Sequence, residues 1–275
     1  MHPVERFCLT MRHHHALARA EWLWRWLRPW YDRAVQLAGR HGIERIINGT
    51  DPLLVMPQYR HVSETYEPEV WTHLMTRLRP DDTVADVGAF IGLYTVAIAK
   101  RLTKGGKVIA CEPDPNNAAV LKGHVALNRV ADRVEIVEAV VSDRVGEVLF
   151  QSGQESQSRV SAKPSDNTNM IASITLDSLL ENRVLDVVKI DVEGHEEEVL
   201  RGAGRVLQSH ERAPQVLYIE VHPYAWATLG TSSASLLGFL RGCGYEVTTL
   251  GGQPVTQITT YGEIIAHRAQ PRLPA

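Results

Sequence analysis

The sequence is poor in cysteine and has no long apolar run, and each of these absences excludes a class of protein. Its three cysteines, Cys8, Cys111 and Cys243, are too few and too widely spaced for a disulfide framework or a cysteine zinc site. No stretch approaches about 18 consecutive apolar residues, and no apolar signal-peptide core is visible. We therefore expect a cytoplasmic protein with no transmembrane segment.

The chain also lacks a strong excess of charge. Its formal net charge is −3, its isoelectric point is near 6.5, and no run of Lys and Arg with interleaved aromatics occurs in its body. This composition argues against a nucleic-acid partner, which would call for a basic patch. The 275 residues, of which 44% are hydrophobic, can bury the core of one large α/β domain with an appendage.

The first 62 residues differ in amino-acid composition and pattern from the rest of the chain. Four tryptophans, at positions 22, 24, 26 and 30, lie among arginines, and no long β-type alternation is present over residues 1–50. We predict a helical extension over residues 1–62, followed by the main domain over 63–275. These helices are expected to pack their aromatic rings on the domain or on a second copy in a homodimer, with a membrane-surface or substrate-lid role as the alternative.

From residue 67 onward the apolar pattern alternates between helical and strand periods. The first predicted helix begins near residue 67, and the others cover 91–102, 115–128, 196–207 and 232–242. The predicted strands cover 83–87, 107–112, 134–141, 185–191, 215–221, 245–250 and 263–268. This order predicts an α/β fold with a mostly parallel seven-stranded sheet, one antiparallel terminal strand, and helices on both faces. A polar insertion, hairpin-like with a polar loop, is expected at about 147–175.

A glycine turn follows the first strand of this domain. It reads Asp86-Val87-Gly88-Ala89-Phe90-Ile91-Gly92, and the next strand ends at Glu112-Pro113. A dinucleotide would need G-x-G-x-x-G for its pyrophosphate, whereas an acid before the glycines repels phosphate and suits a cationic ligand. Because S-adenosylmethionine combines a nucleoside with a sulfonium and an ammonium group, the turn predicts a methyl-donor site rather than a dehydrogenase. The predicted cofactor-binding residues are Asp86, Gly88, Ala89, Gly92, Glu112, Pro113, Asn116, Ser142 and Asp191.

Polar side chains also end two later strands. Asp191 and His195 follow one apolar strand, and Glu220 and His222 end the next, so these four are the candidate catalytic residues. We expect His195 or Asp191 to remove a proton from an acceptor hydroxyl that Glu220 and His222 orient. A divalent ion held by Asp191 and Glu220 is a less favoured variant. The acidic run 196–198 is interpreted as complementing a helix dipole.

The same segments resemble a known family. Lys189-Ile190-Asp191-Val192-Glu193-Gly194-His195-Glu196 is similar to the signature of the FkbM S-adenosylmethionine-dependent methyltransferases, and Asp86-Val87-Gly88, Thr175 to Leu179 and Ile219-Glu220-x-His222-Pro223 also fit. The resemblance covers roughly residues 64–267. It implies a Rossmann-like class I methyltransferase fold and O-methylation of a hydroxyl on a sugar, polysaccharide or macrolide or polyketide-type secondary metabolite. The expected partner is thus a small-molecule or glycan acceptor.

One residue departs from the family pattern. Phe90 stands where the turn usually has Asn, so a side chain that could hydrogen-bond the donor's polar end is missing. The alternative hypothesis is therefore a catalytically altered S-adenosylmethionine-binding or assembly module. The observation that discriminates the two hypotheses is whether the purified protein retains S-adenosylmethionine on dilution or shows a thermal shift with S-adenosylhomocysteine.

Overall fold

A computed structural model describes residues 39–151, 159–161, 168–181 and 183–268, together with the single positions 26, 29, 30 and 33. Most of the predicted helical extension, including the tryptophans at 22 and 24, lies outside these residues. Trp26 and Trp30 are helical and exposed. The boundary at residue 62 and a homodimer through this segment stay predictions.

The described chain begins with a β-hairpin. Strands β1 (Ile43–Ile47) and β2 (Asp51–Val55) pair antiparallel, and alternate side chains of both are buried. The expectation of helix over residues 1–50 is therefore wrong at β1. Burial alternates along this strand, but Arg45 is buried and Ile46 is exposed, so the sequence itself shows no apolar alternation. Asp51 anchors the hairpin by accepting a 2.8 Å hydrogen bond from the Trp71 indole and pairing with Arg101 at 2.7 Å.

The remaining elements follow the predicted order. The helices are α1 (Pro68–Arg77), α2 (Leu93–Arg101), α3 (Pro115–Leu127), α4 (Leu176–Leu180), α5 (Glu196–Arg201), α6 (Gly204–Gln208), α7 (Pro223–Trp226) and α8 (Ser233–Gly242). Two 3-10 turns cover Pro57–Tyr59 and Ala131–Arg133. The strands are β3 (Thr83–Val87), β4 (Lys107–Cys111), β5 (Val134–Val137), β6 (Val140–Val141), β7 (Gly146–Gln151), β8 (Arg159–Val160), β9 (Thr168–Ile174), β10 (Val187–Ile190), β11 (Val216–Val221), β12 (Tyr245–Thr248) and β13 (Gly262–Arg268). Within the described ranges, no helix is both long and apolar enough to cross a bilayer.

Two predicted elements are divided in the structure. The helix expected over 196–207 is interrupted at residues 202–203 and forms α5 and α6. The strand expected over 134–141 is β5 followed by β6, because β6 leaves the central sheet and pairs with β9.

The central sheet has seven strands in the order β12-β13-β11-β10-β3-β4-β5. Neighbours from β11 to β5 are parallel, and β13 runs antiparallel to both β11 and β12. The predicted mostly parallel sheet with a reversed terminal strand is confirmed, and the topology is that of a Rossmann-like class I methyltransferase. Successive strand residues face opposite sides of the sheet. Val84 therefore packs in the core on the side of α1 to α3, and Ala85 packs in the core on the side of α4 to α8.

The predicted insertion forms a second, smaller sheet with β6, in the order β6-β9-β7-β8. Strands β7 and β9 pair antiparallel over six residues each, which gives the expected hairpin-like pairing. Phe150 of β7 and Val160 of β8 reach the cavity described below. The polar loop of the insertion lies mostly outside the described residues.

Candidate active site

A cavity of about 840 Å³ lies at the carboxyl ends of the parallel strands. Strand order reverses at β3, which is flanked by β4 and β10, and an α/β sheet binds its ligands at such a point. Residues at the ends of β3 and β4, together with Ala139 and the two residues of β6, line one half of the cavity, and residues at the ends of β10 and β11 line the other. Of the predicted site residues, those on its wall are Gly88, Glu112, Pro113, Asp191, His195, Glu220 and His222.

Glu112 is held rigidly in the first half. Its Oε2 accepts a 2.8 Å hydrogen bond from the Phe90 N–H, and its Oε1 accepts one of 2.9 Å from the Asp114 N–H. Burial outweighs these bonds and raises the pKa of Glu112 to about 7. Because each carboxylate oxygen has two lone pairs, Glu112 can still accept a hydrogen bond from a ligand hydroxyl.

Phe90 adopts a backbone conformation that is unusual for its residue type. Its φ is +51°, a left-handed value that Asn tolerates better than an aromatic residue. The turn is closed by its backbone N–H bond to Glu112 and not by a side chain at position 90. The geometry of the turn therefore survives the replacement of Asn by Phe, with the phenyl ring on the cavity wall.

Gly88 joins the turn to the centre of the site. A Cβ at this position would lie 1.7 Å from the Asp191 carbonyl oxygen, and φ is +85°. Only glycine therefore lets the end of β3 pass so close to the end of β10. The glycine predicted to admit a ligand also sets the position of Asp191.

Asp86 lies beneath the turn and is absent from the cavity wall formed by the described residues. One of its oxygens accepts a hydrogen bond from the Thr95 hydroxyl, and the other has no partner within those residues. Burial raises its pKa, although the nearby Lys189 opposes the effect. Its contact with a donor ammonium stays a prediction, and the side chain is buried beneath the turn that lines the cavity.

Four further predicted cofactor residues surround the cavity without lining it. Gly92 packs against Leu121 at the start of α2, and the N–H of Ala89 bonds the Cys111 carbonyl. The N–H of Asn116 is capped by Asp114 at the start of α3. Ser142, after β6, bonds a catalytic candidate and so acts on the site indirectly.

Asp191 is held by a lysine that the sequence interpretation did not select. Lys189, only 3% exposed, donates a 3.1 Å hydrogen bond to Asp191 Oδ2, and its Nζ lies 4.6 Å from the centroid of the Tyr94 ring. Burial raises the pKa of Asp191, but Lys189 outweighs it and the net shift is downward. Asp191 is therefore ionised at neutral pH. The signal in the sequence is a single lysine inside the otherwise apolar strand 187–190.

Glu220 behaves differently although it lies close to Asp191. It accepts a hydrogen bond from the Tyr261 hydroxyl, and burial together with the Asp191 charge raises its pKa to about 8. Ligand atoms of Asp191, Glu220 and His222 lie within 4.8 Å of one another, as do those of Glu67, Glu220 and Glu263. Protein donors already bind the carboxylates of Asp191 and Glu220, and we assign no metal to these groups.

The two predicted catalytic histidines occupy different parts of the cavity wall. His195 Nε2 lies 2.9 Å from the Ser142 hydroxyl, beside the residues after β5, and burial lowers its pKa to about 4. His222, at the end of β11, places Nδ1 2.7 Å from Glu196 Oε1. Burial lowers the pKa of His222, but the hydrogen bond and charge of Glu196 outweigh it, so the net shift is upward. The structure thus groups His222 with Asp191 and Glu220, and separates His195 from them.

Comparison with known proteins shows the family of this chain. The methyltransferase FkbM domain matches residues 86–247. The hexuronic acid methyltransferase AglP of Haloferax volcanii is 28% identical over 159 residues, which cover 57% of this chain and 62% of AglP. The chain thus spans less than two thirds of the length of this relative.

Two methyltransferases are among the solved structures to which this chain is similar. An FkbM methyltransferase from Methylobacillus flagellatus KT has a TM-score of 0.47 at 20% identity, over 70% of this chain and 44% of that one. An S-adenosylmethionine-dependent O-methyltransferase from Thermotoga maritima has a TM-score of 0.45 at 14% identity, over 79% of this chain and 71% of that one. Because the FkbM domain matches more than half of the residues of this chain, the chain belongs to the FkbM methyltransferase family.

Proposed function

We propose that this protein transfers the methyl group of S-adenosylmethionine to a hydroxyl of a sugar-containing acceptor. The observation that carries the proposal is the single cavity at the switch point of the sheet, which joins the anchored Glu112 to the Asp191, Glu220 and His222 group. The family supports methyl transfer, and the name of the Haloferax relative supports a sugar. A polysaccharide or a glycosylated secondary metabolite presents the same hydroxyl chemistry.

The first half of the cavity fits the donor. Glu112 Oε1 already accepts hydrogen bonds from the Asp114 N–H and the Asn117 amide, and the remaining lone pair of Oε2 can accept one from a ribose hydroxyl. Gly88, Phe90 and Pro113 shape the wall around it. The ionised Asp191 places a negative charge toward the second half, where a sulfonium would be favoured. When bound, S-adenosylmethionine supplies an electrophilic methyl carbon with a neutral leaving group. In this family context the cofactor-binding roles predicted for Gly88, Glu112, Pro113 and Asp191 are part of the proposal.

The second half of the cavity provides acid–base groups for the acceptor. His222 Nε2 lies 3.7 Å from Glu193 Oε2 and 3.9 Å from Glu220 Oε1, and all three residues line the cavity. We assign proton removal to His222, because Asp191 is committed to Lys189 and His195 to Ser142. Asp191 and Glu220 then orient the acceptor hydroxyl. Alignment of the reacting atoms in such a site can supply several kcal/mol of the barrier.

The test is a methyl-transfer assay on a panel of uronic acids, neutral sugars and sugar-bearing secondary metabolites, with product mass as the readout. We expect a gain of one methyl group on at least one hydroxyl. His222→Gln should lower kcat on the order of 10²-fold or more while calorimetric binding of S-adenosylhomocysteine is retained. Failure of the wild-type protein to bind S-adenosylhomocysteine at millimolar concentration would contradict the proposal.

Phe90 supports a second candidate function. Its phenyl ring replaces a hydrogen-bonding side chain on the cavity wall, which favours a module that binds the donor with altered or no turnover. Binding of S-adenosylhomocysteine without methyl transfer to any acceptor class in the panel is the result expected for that module.

A further inference from the structure

Glu196 is completely buried, although it opens the acidic run of α5 that the sequence predicts only to complement a helix dipole. Its Oε1 accepts hydrogen bonds from the Gly194 N–H at 2.8 Å and from His222 Nδ1 at 2.7 Å. Its Oε2 accepts one from the Trp226 indole N–H at 2.7 Å. A peptide N–H and an indole N–H can only donate, so the carboxylate is arranged as an acceptor and Nδ1 of His222 carries the proton.

The fold brings these groups together by packing two loops against each other. His222 ends β11 and directly precedes α7, which carries Trp226 one turn later. The loop before α5 packs on α7 so closely that a Cβ at Gly194 would lie 2.4 Å from the Cβ of Ala225, and φ of Gly194 is +106°. This contact leaves little freedom for Glu196 to move away from His222.

Two tyrosine rings contact the His222 ring, in addition to the hydrogen bond at Nδ1. The rings of Tyr224 and Tyr261 lie 5.7 Å and 5.3 Å from it, measured between centroids. The titratable groups that face His222 come from α5, α7, the loop after β10, the end of β11 and the start of β13. They are Asp191, Glu193, Glu196, Glu220, Tyr224, Tyr261 and Glu263.

We propose that Glu196 is a positioning residue for methyl transfer, which holds the Nδ1–H tautomer of His222 and so leaves Nε2 free to accept a proton on the cavity side. This inference rests on the proposed function. In the step that it serves, the acceptor O–H proton passes to Nε2 and the oxygen forms a bond to the methyl carbon. The bond from that carbon to sulfur breaks, and its electron pair stays on the sulfur. The carboxylate of Glu196 stabilises the imidazolium that results.

The substitution Glu196→Gln tests this role because an amide cannot satisfy all three donors. If the amide oxygen faces His222, the NH₂ group opposes the Trp226 indole N–H. If the amide turns over, the NH₂ group faces Nδ1 and selects the tautomer that is protonated at Nε2. The double variant Glu196→Gln/Trp226→Phe removes the conflict with the indole. The amide oxygen of Gln can then accept the hydrogen bond from His222 Nδ1–H, but it carries no negative charge.

Glu197→Gln is the matched control. Glu197 is the next residue of α5 and is also buried, but it pairs with Arg201 and with the Ser235 hydroxyl. It is absent from the cavity wall formed by the described residues. Its substitution carries the same change of charge and shape on the same helix without touching His222.

Two readouts separate positioning from mere stability. In ¹⁵N-histidine NMR spectra of the full chain without acceptor, neutral His222 should be protonated at Nδ1 in the wild type. Glu196→Gln should increase the Nε2-protonated form, and the pKa of His222 should fall by about one pH unit in the double variant, in which Nδ1 keeps an acceptor. In the transfer assay, kcat of both variants should fall by about tenfold or more. The acidic limb of kcat/KM in the double variant should move down with the pKa.

Each contrary result has a defined meaning. Unchanged His222 signals in Glu196→Gln would overturn the positioning role, whether or not an acceptor is known. Changed His222 signals in Glu196→Gln together with a wild-type kcat would overturn the link between Glu196 and catalysis. A loss of kcat in Glu197→Gln equal to that in Glu196→Gln would overturn the same link. A wild-type protein that methylates nothing, but shows the expected His222 signals, would instead refute the proposed function.

Discussion

Replacing Lys189 with Met tests whether the buried lysine is what keeps Asp191 ionised. Lys189 is 3% exposed, its ammonium lies 3.1 Å from Asp191 Oδ2, and it stacks over Tyr94. Removing one partner of a buried ion pair costs about 3–5 kcal/mol. Because the Asp191 side chain is 24% exposed and can recover some hydration, we expect the lower end, about 3 kcal/mol at pH 7.

The sign of the pH dependence follows from the direction of the two shifts. The pKa of Asp191 is lowered from 3.8, so its contribution to stability is present above that value and is lost as the pH falls through its folded pKa. The pKa of Lys189 is raised above 10.5, so its contribution is present below that value and is lost as the pH rises through its folded pKa. In Lys189→Met burial acts on Asp191 unopposed by the lysine and raises its pKa. The difference between wild type and Lys189→Met should therefore be largest from neutral pH to about pH 10 and should shrink at acidic pH, where Asp191 becomes protonated first in the variant.

Urea unfolding followed by circular dichroism at several pH values measures this difference. Lys122→Met is the matched control, because Lys122 and its partner Glu138 are both about half exposed and such a surface pair contributes about 0–1 kcal/mol. A change of less than about 1 kcal/mol in Lys189→Met at pH 7, equal to that of the control, would refute the claim that the buried pair stabilises the fold.

Three further results are expected. First, kcat/KM should rise with pH through the pKa of His222, whose upward shift places the acidic limb above pH 6.5, and a limb below that value would argue against His222 as the base. Second, Phe90→Asn should relieve about 1 kcal/mol of left-handed strain and increase the thermal shift caused by S-adenosylhomocysteine, whereas a smaller shift would show that the phenyl ring itself contacts the donor. Third, excess EDTA should leave methyl transfer unchanged, and a loss that Mg²⁺ restores would assign a metal to the Asp191 and Glu220 pair.

The sequence by itself determined the fold and the edge of the sheet at which the site lies. Hydrophobic periods of 2 and 3.6 residues identified the strands and helices, and polar residues after apolar strands marked the carboxyl ends. The reversed strand β13 was predictable too, because the segment before it contains Gly251-Gly252 and a polar stretch and no helical pattern that could form the crossover of a parallel strand. These are local properties of the chain, and they needed no knowledge of distant contacts.

Tertiary structure alone decided which polar residues work together. The sequence places His195 and His222 at the same edge, but His195 bonds Ser142, 53 residues away, and His222 bonds Glu196, 26 residues away. It also places Asp86 beside the ligand, whereas packing turns that side chain under the turn toward Thr95. Spacing along the chain determines which residues reach an edge of the sheet. The direction of each side chain and the ionisation of each carboxyl depend on neighbours far away in sequence, and burial sets how strongly those neighbours act.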